Sequence, residues 1–187
     1  MDAARIRDRQ LDASSSGSLR PVSVWRGVEI YGSFIRLTGE LEIVGPERLS
    51  DSINRFGEFL QVRNARAEPL SVNYPVLSRL ETRVTIAKRA VVLVCPLEVN
   101  AESNATMWRE TVPHAASINT AVFSMVGDVH LLPGLNLQDH LERHPGDFLP
   151  MTNLSALWLT SSSGETHSLQ RPLALLNPAA ILSFSLR

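Results

Sequence analysis

The sequence contains a single cysteine, Cys95, and a single lysine, Lys88. One cysteine cannot form a disulfide within the chain, so nothing in the sequence requires an oxidising compartment. Cys95 follows the apolar run 90–94, and we expect it to be a buried small hydrophobe rather than a reactive thiol. Because every other basic residue is an arginine, the composition favours a GC-rich, bacterial genome.

The sequence also lacks segments typical of membrane or secreted proteins. No stretch approaches the ~20 consecutive apolar residues that a membrane-spanning helix needs. Charged residues are frequent in positions 1–9, where a signal peptide would lead into an apolar core. We therefore expect a cytoplasmic protein with no membrane span.

Neither an excess of charge nor a catalytic motif is present. The 18 basic residues nearly balance the 19 acidic ones, whereas a dedicated nucleic-acid binder neutralises phosphates with an excess of Lys and Arg. The glycine-rich patterns GxGxxG and GxxxxGK and the nucleophile motif GxSxG are absent. We therefore predict no catalytic residues, no cofactor and no enzymatic activity.

The chain does contain a long internal repeat. Its second half resembles its first at an offset of 88 positions, which becomes 89 from Phe59 onward, so that Leu93 matches Leu182. Self-similarity at a fixed offset means that the folding unit is a fraction of the chain. A copy of ~70 residues is near the size at which one core is only marginally stable, so we expect the copies to pack together or the protein to oligomerise. The repeated glycine and polar positions are Gly39 and Gly127, Asp51 and Asp139, and Asn64 and Asn153.

Composition predicts the domain boundaries. Residues 1–21 are charged and then serine-rich, which is typical of a flexible arm. The first domain spans residues 22–99, the polar segment 100–113 is the linker, and the second domain spans residues 114–187.

The two copies show the same order of predicted elements. Period-two alternation predicts strands, as in Phe34–Ile43 of the first copy and Val122–Leu131 of the second. Apolar residues four apart predict one short helix in each copy, Leu49–Asn54 and Leu137–Glu142. Five strands and one short helix per copy, without a long amphipathic helix, predict a mainly β fold of two small bent barrels.

Three short patterns resemble those of the Sm/SH3-like barrels. They are the Gly-x-Leu of a bent second strand (Gly39–Leu41), the third-strand pattern in Leu60–Glu68, and the two-strand unit Val84–Val94. The resemblance implies tandem five-stranded Sm/SH3-like barrels, each with one short helix. Sm-type barrels commonly assemble into rings through their strand edges. Their RNA-contacting loop is replaced here by the helix Leu49–Asn54, so their RNA chemistry does not carry over.

A longer spaced pattern is similar to one in uncharacterised bacterial proteins. It reads Gly…Arg-Leu-Ser-Asp-x-x-Asn…Phe-Leu and is matched here by Gly39, Arg48–Asp51, Asn54 and Phe59-Leu60. This similarity concerns the sequence pattern alone and implies no activity.

The repeated polar residues have structural interpretations. Asp51 and Asp139 lie near the start of the predicted helices, where Asp caps backbone N–H groups or pairs with the arginine four residues later. Asn64 and Asn153 lie in the third predicted strand of each copy, and Asn tolerates the left-handed backbone of a turn or bulge. We therefore expect these positions to stabilise the fold.

Two functional alternatives are open. His140 and His144 are four residues apart, a spacing that lets two imidazoles on a helix share a metal ion, which would indicate a metal-binding domain or metalloenzyme. The other alternative is a nucleic-acid-binding module that contacts phosphates through a basic strip of the first copy, if its strands adjoin. The basic strip comprises Arg63, Arg66, Arg79, Arg83, Lys88 and Arg89.

The favoured hypothesis is a non-enzymatic scaffold or adaptor subunit that works by contact with a protein partner or by self-assembly. Small barrels with open edges readily add a strand from a neighbour, and the C-terminal strand Ile181–Leu186 is available for such pairing. Trp25, Trp108 and Trp158 are candidate contact residues, of which we expect at least one to lie in the core.

Overall fold

The computed structural model describes residues 23–44, 47–70, 79–98, 111–143, 147–159 and 164–186. Within these ranges the chain forms ten antiparallel strands, two short α-helices and two 3₁₀ turns, which confirms the mainly β class. The first half contains β1 (Ser23–Gly32), β2 (Ile35–Val44), α1 (Leu49–Arg55), β3 (Phe59–Pro69), β4 (Arg79–Ala87), a 3₁₀ turn (Lys88–Ala90) and β5 (Val91–Pro96). The second half contains β6 (Val112–Thr120), β7 (Ser124–Leu131), α2 (Leu137–Arg143), β8 (Leu149–Leu159), β9 (Thr166–Leu176), a 3₁₀ turn (Pro178–Ala180) and β10 (Ile181–Leu186).

The ten strands form one open sheet with the order β10-β6-β7-β8-β9-β5-β1-β2-β3-β4. Within each half the fifth strand lies beside the first, and the fourth strand is at the opposite side. We expected two separate barrels, but the described pairings show a single continuous sheet. The physical reason is that β5 bonds to β1 on one edge and to β9 on the other, so both of its edges are occupied.

Most elements lie where the sequence pattern placed them. The helices α1 and α2 cover the predicted segments, and no helix in the described part of the chain is long and apolar enough to cross a membrane. β6 begins at Val112 and includes Pro113, although the composition predicts that both belong to the linker. Pro113 fits into β6 because proline is tolerated at the start of a strand. The predicted arm 1–21 and linker residues 100–110 lie outside the described residues.

A glycine and a left-handed asparagine face each other across β2 and β3. The pairing shifts between Thr38 and Glu40, and Asn64 takes a φ of 50°. A Cβ at Gly39 would lie 2.9 Å from the carbonyl oxygen of Arg63 and 2.7 Å from a side-chain methyl of β3. The Asn64 amide donates to the Glu40 carboxylate at 3.1 Å. The bulge therefore requires glycine on one strand and a residue tolerant of positive φ on the other.

The second half repeats this bulge. Asn153 takes a φ of 53°, and its amide donates to Asp128 at 2.7 Å. A Cβ at Gly127 would lie 2.9 Å from the carbonyl oxygen of Thr152. The left-handed backbone predicted for the two asparagines is present in both halves.

The strand pairing also corrects the sequence alignment of the last two strands. Ala65 of β3 lies opposite Glu81 of β4. The residue that matches Ala65 in the second half is Leu154 of β8, which lies opposite Arg171 of β9. Glu81 therefore corresponds to Arg171. The offset between the halves is therefore 90 in β4 and β9, and it stays at 90 through the 3₁₀ turns and the fifth strands. Leu93 consequently corresponds to Ser183, and not to Leu182 as the sequence alone had indicated.

Each half has its own buried cluster, and each cluster includes residues from the other half. The first-half cluster is built on residues such as Ile30 and Leu60 and also contains Phe148 and Leu175 of the second half. The second-half cluster contains residues of β5 together with Tyr31. Since each core is completed by the other half, the two halves stabilise one another.

Replacing Gly39 with alanine should destabilise the protein by about 1–3 kcal/mol, because the added methyl meets backbone at less than contact distance. The measurement is urea-induced unfolding followed by circular dichroism. Gly57→Ala is the matched control, since a Cβ there has nothing within 4 Å. Equal unfolding curves for the two variants would contradict the role assigned to Gly39.

Candidate interaction edges

The two halves meet where β5 of the first half pairs with β9 of the second. Leu93 lies opposite Leu176 and Val94 opposite Leu175 in an antiparallel register. The backbone N–H of Asn177 continues this pairing by donating to the carbonyl of Val92 at 2.9 Å. We call this contact, together with the side chains that cross it, the junction.

The apolar run of β5 is buried because the strand is covered from both halves. Val91 to Cys95 are at most 5% exposed. Val91 and Val94 belong to the first-half cluster, whereas Val92, Leu93 and Cys95 belong to the second-half cluster. Burial raises the pKa of the Cys95 thiol to about 12, which agrees with its expected role as an inert core residue.

Phe148, together with Leu175, brings an apolar side chain of the second half into the first-half core. It is 2% exposed, and its backbone N–H donates to the side-chain oxygen of Asn54 in α1 at 2.7 Å. The helix α1 therefore fixes the start of β8 while the phenyl ring fills the first-half cluster.

Asn177 holds the 3₁₀ turn of the first half. Its side-chain amide donates to the carbonyl oxygens of Lys88 and Val91 at 2.9 and 2.7 Å. Its side-chain oxygen accepts from the backbone N–H of Ala179 at 3.0 Å, which caps its own 3₁₀ turn. Because Asn177 is only 4% exposed, loss of this amide would leave two carbonyls without their donor.

A largely buried ion pair crosses the junction between β1 and β9. The guanidinium of Arg171 donates from Nε to the Glu29 carboxylate at 3.0 Å, with a second bond from its terminal nitrogen. The hydroxyl of Tyr31 donates to the same carboxylate at 3.2 Å. Burial, and then the Glu29 charge, raise the pKa of Tyr31 from 10.0 to about 12. Between about pH 10 and pH 12 the tyrosine is ionised in the unfolded chain but not in the folded protein. The stability that this contact gives to the folded protein is therefore lost as the pH rises through that range.

β10 is the counterpart of β5 but has no strand on its outer edge among the described residues. Leu182, Phe184 and Leu186 are 72, 37 and 40% exposed. Their counterparts Val92 and Val94 are 5 and 0% exposed. The second half therefore presents in solvent the surface that the first half buries at the junction.

β4 is the strand at the other end of the sheet. It is the counterpart of β9, and its outer edge corresponds to the edge through which β9 pairs with β5. Phe59, at the start of the neighbouring β3, is 51% exposed, whereas its counterpart Phe148 is buried. Leu80 of β4 is 78% exposed. We call β4 with Phe59, and β10 at the other end, the two open edges.

The basic strip is partly neutralised. Arg63 lies directly opposite Arg83 across β3 and β4. Arg63 pairs with Glu40 at 2.6 Å, and Arg66 pairs with Glu68 at 2.9 Å. The structure thus brings some of the strip together but places carboxylates beside two of its arginines, which weakens its attraction for phosphate. Arg89 is exposed, and the side chain of Arg79 lies outside the described residues.

Lys88 lines a cleft of about 380 Å³ beside the junction. Two residues of the second half, Phe148 and Asn177, line the same cleft. The Lys88 ammonium donates to the backbone carbonyl of Phe56 at 2.5 Å. Burial lowers the pKa of Lys88, and the charge of Asp147 opposes this shift. The lysine is therefore bonded within the protein at the junction.

The predicted metal pair is described only in part. His140 lies in α2, and His144 lies outside the described residues. In the described part of the chain, no group of three or more His, Cys, Asp or Glu side chains is arranged to hold a metal ion.

The helical aspartates differ from one another. In α2 the backbone N–H of Asp139 donates to Asn136 at 2.8 Å, and the Asn136 amide donates back to the Asp139 carboxylate. In α1 the expected partner of Asp51, Arg55, pairs instead with Glu47 at 2.5 Å. The predicted arginine pairing of Asp51 is therefore replaced by a different ion pair at the same helix.

Two of the three tryptophans have defined surroundings. Trp158 packs against the second-half cluster, with its ring stacked on His167 and edge-on to Phe123. The guanidinium of Arg63 lies 4.0 Å over the ring of Trp25. Trp108 lies outside the described residues.

No protein-family model, curated protein or solved structure matches this chain. The Sm/SH3-like resemblance therefore stays a prediction. The functional inference depends on the junction and the two open edges.

Replacing Arg171 with alanine should destabilise the protein by about 1–3 kcal/mol, because Glu29 would remain buried with only the Tyr31 hydroxyl as a partner. Arg66→Ala is the matched control, since it removes an exposed arginine from its pair with Glu68, and ion pairs at the surface contribute about 0–1 kcal/mol. Both variants are compared by urea-induced unfolding. A loss for Arg171→Ala no larger than that for Arg66→Ala would count against the ion pair as part of the junction.

Proposed function

We propose that this chain is a non-enzymatic assembly subunit that binds protein by adding a β-strand at its open edges, each five-stranded half acting as one Sm/SH3-like unit. The observation that carries the proposal is the exposure of β10. Its apolar side chains Leu182 and Phe184 lie in solvent, although their counterparts in β5 are fully or almost fully covered.

An uncovered apolar edge strand is costly to an isolated protein. Such a strand presents unpaired N–H and C=O groups as a template for another chain. Native proteins usually protect it with charged residues, proline or a bulge, yet β10 reads Ile-Leu-Ser-Phe-Ser-Leu and contains no charge or proline. The pairing of β10 with β6 shifts between Ile181 and Ser183, but the strand carries neither a charge nor a proline, and this lack supports β10 as a binding edge.

The nucleic-acid alternative receives less support. Electrostatic binding to phosphates needs unpaired cations on one surface, but Arg63, Arg66 and Lys88 already bond to groups of the protein. The apolar edge strand offers a more direct binding feature than the basic strip does.

Leu182→Lys should weaken association by at least about tenfold, because a covered ammonium without a partner costs more than 1.4 kcal/mol. The measurement is the concentration dependence of the solution mass by light scattering. Leu159→Lys is the matched control, since Leu159 is 66% exposed on β8, which has a neighbour on both sides. Equal effects of the two lysines would contradict the proposal, and a wild-type chain that stays monomeric at all concentrations would show that the bound protein is not a second copy.

A further inference from the structure

We infer that the partner of each open edge is a second copy of this chain, bound head to tail, with β10 of one copy added to β4 of the next. This inference rests on the proposed function and names its partner. The template is the junction itself, in which the fifth strand of one half pairs with the fourth strand of the other. The two open edges are a fifth and a fourth strand of the same repeat.

Phe59 supports this pairing independently of the strand edges. Within one chain, Phe148 precedes β8 and fills the core of the half whose fifth strand pairs with β9. Phe59 occupies the corresponding place at the start of β3, but it is 51% exposed. In a head-to-tail assembly, Phe59 would enter the second-half core of the neighbouring copy, which is the environment that Phe148 has within the chain. Both the uncovered strand and the uncovered phenyl ring are thus accounted for by one contact.

The repeat also fixes the register of the contact. At the offset of 90, Leu93 and Val94 correspond to Ser183 and Phe184, while Leu176 and Leu175 correspond to Ile86 and Thr85. Ser183 of one copy should therefore lie opposite Ile86 of the next, and Phe184 opposite Thr85. Since β4 and β10 are different surfaces, the contact is heterologous and repeats from copy to copy, in a closed ring or an open filament.

The contact between copies should be weaker than the junction within a chain, because it lacks the polar side chains of the junction. The position of Asn177 is occupied in the first half by Ala87. The ion pair is lost as well, since Glu29 corresponds to Ser117 and Arg171 to Glu81. What is retained is the strand pairing and the apolar contacts.

The test of the geometry is disulfide cross-linking between Thr85→Cys and Phe184→Cys, two positions exposed in the single chain. A mixture of the two single variants should give a dimer on a non-reducing gel, and a chain with both substitutions should give a ladder. The native Cys95 does not compete, because it is fully buried and its thiol pKa is about 12. Leu159→Cys, exposed on an inner strand, is the control and should not cross-link with either variant.

The outcomes separate this inference from the proposed function. One outcome is that Leu182→Lys disrupts the multimers but each single cysteine variant cross-links with itself. In that case β4 pairs with β4 and β10 with β10, and the head-to-tail arrangement is wrong. If such multimers form and no cysteine combination cross-links, the inferred register is wrong. If no multimer forms at any concentration, a second copy is not the partner and this inference fails, whereas the proposed function fails if Leu182→Lys and Leu159→Lys have equal effects.

A gain of affinity provides a second test. Ala87→Asn should restore the missing amide, which would donate to the carbonyl oxygens of Pro178 and Ile181 in the neighbouring copy, as Asn177 does to Lys88 and Val91. We expect the dissociation constant to fall about tenfold, the equivalent of roughly one or two hydrogen bonds.

Ala87→Asp is the matched control for that gain. Its carboxylate can cap the 3₁₀ turn, as the side-chain oxygen of Asn177 does, but it cannot donate to carbonyls. An equal gain of affinity for both variants, or no gain for Ala87→Asn, would overturn the inferred contact.

Discussion

The pairing of β5 with β9 is the constraint on which the rest of this structure depends. A strand as apolar as Val91–Cys95 needs cover on both faces, and in this chain the cover comes from two different halves. Because both edges of β5 are occupied, its own half cannot close on it. The same contact therefore joins the two halves into one sheet. It leaves β4 and β10 as the strands at the two ends of that sheet.

The polar groups at the junction explain why its geometry is specific. Strand pairing and apolar burial alone tolerate small shifts, whereas the Asn177 amide and the Arg171–Glu29 pair are satisfied only in one arrangement. A buried carboxylate or carbonyl without its partner costs free energy. The two open edges have apolar surface without these groups.

Local features were predictable from the sequence because they depend on neighbours along the chain. The alternating strands, the two short helices and the left-handed asparagines Asn64 and Asn153 follow from period and backbone tolerance. Of the two roles expected for Asp51, capping or pairing with Arg55, the arginine is taken by Glu47, which pairs with it instead. The offset of the last strands was wrong by one residue because leucines recur at neighbouring positions, and only hydrogen-bonded pairing distinguishes them.

The sequence by itself determined the mainly β class, the repeated order of elements and the positions of the bulges, since these depend on local conformational preference and hydrophobic period. Only the tertiary structure decided that the halves share one sheet, that Phe148 is buried while Phe59 is exposed, and that Glu29 meets Arg171. These are contacts between residues more than 80 positions apart. Nothing local in the chain specifies which of two equivalent strands will be covered, because that depends on which neighbour reaches it in three dimensions.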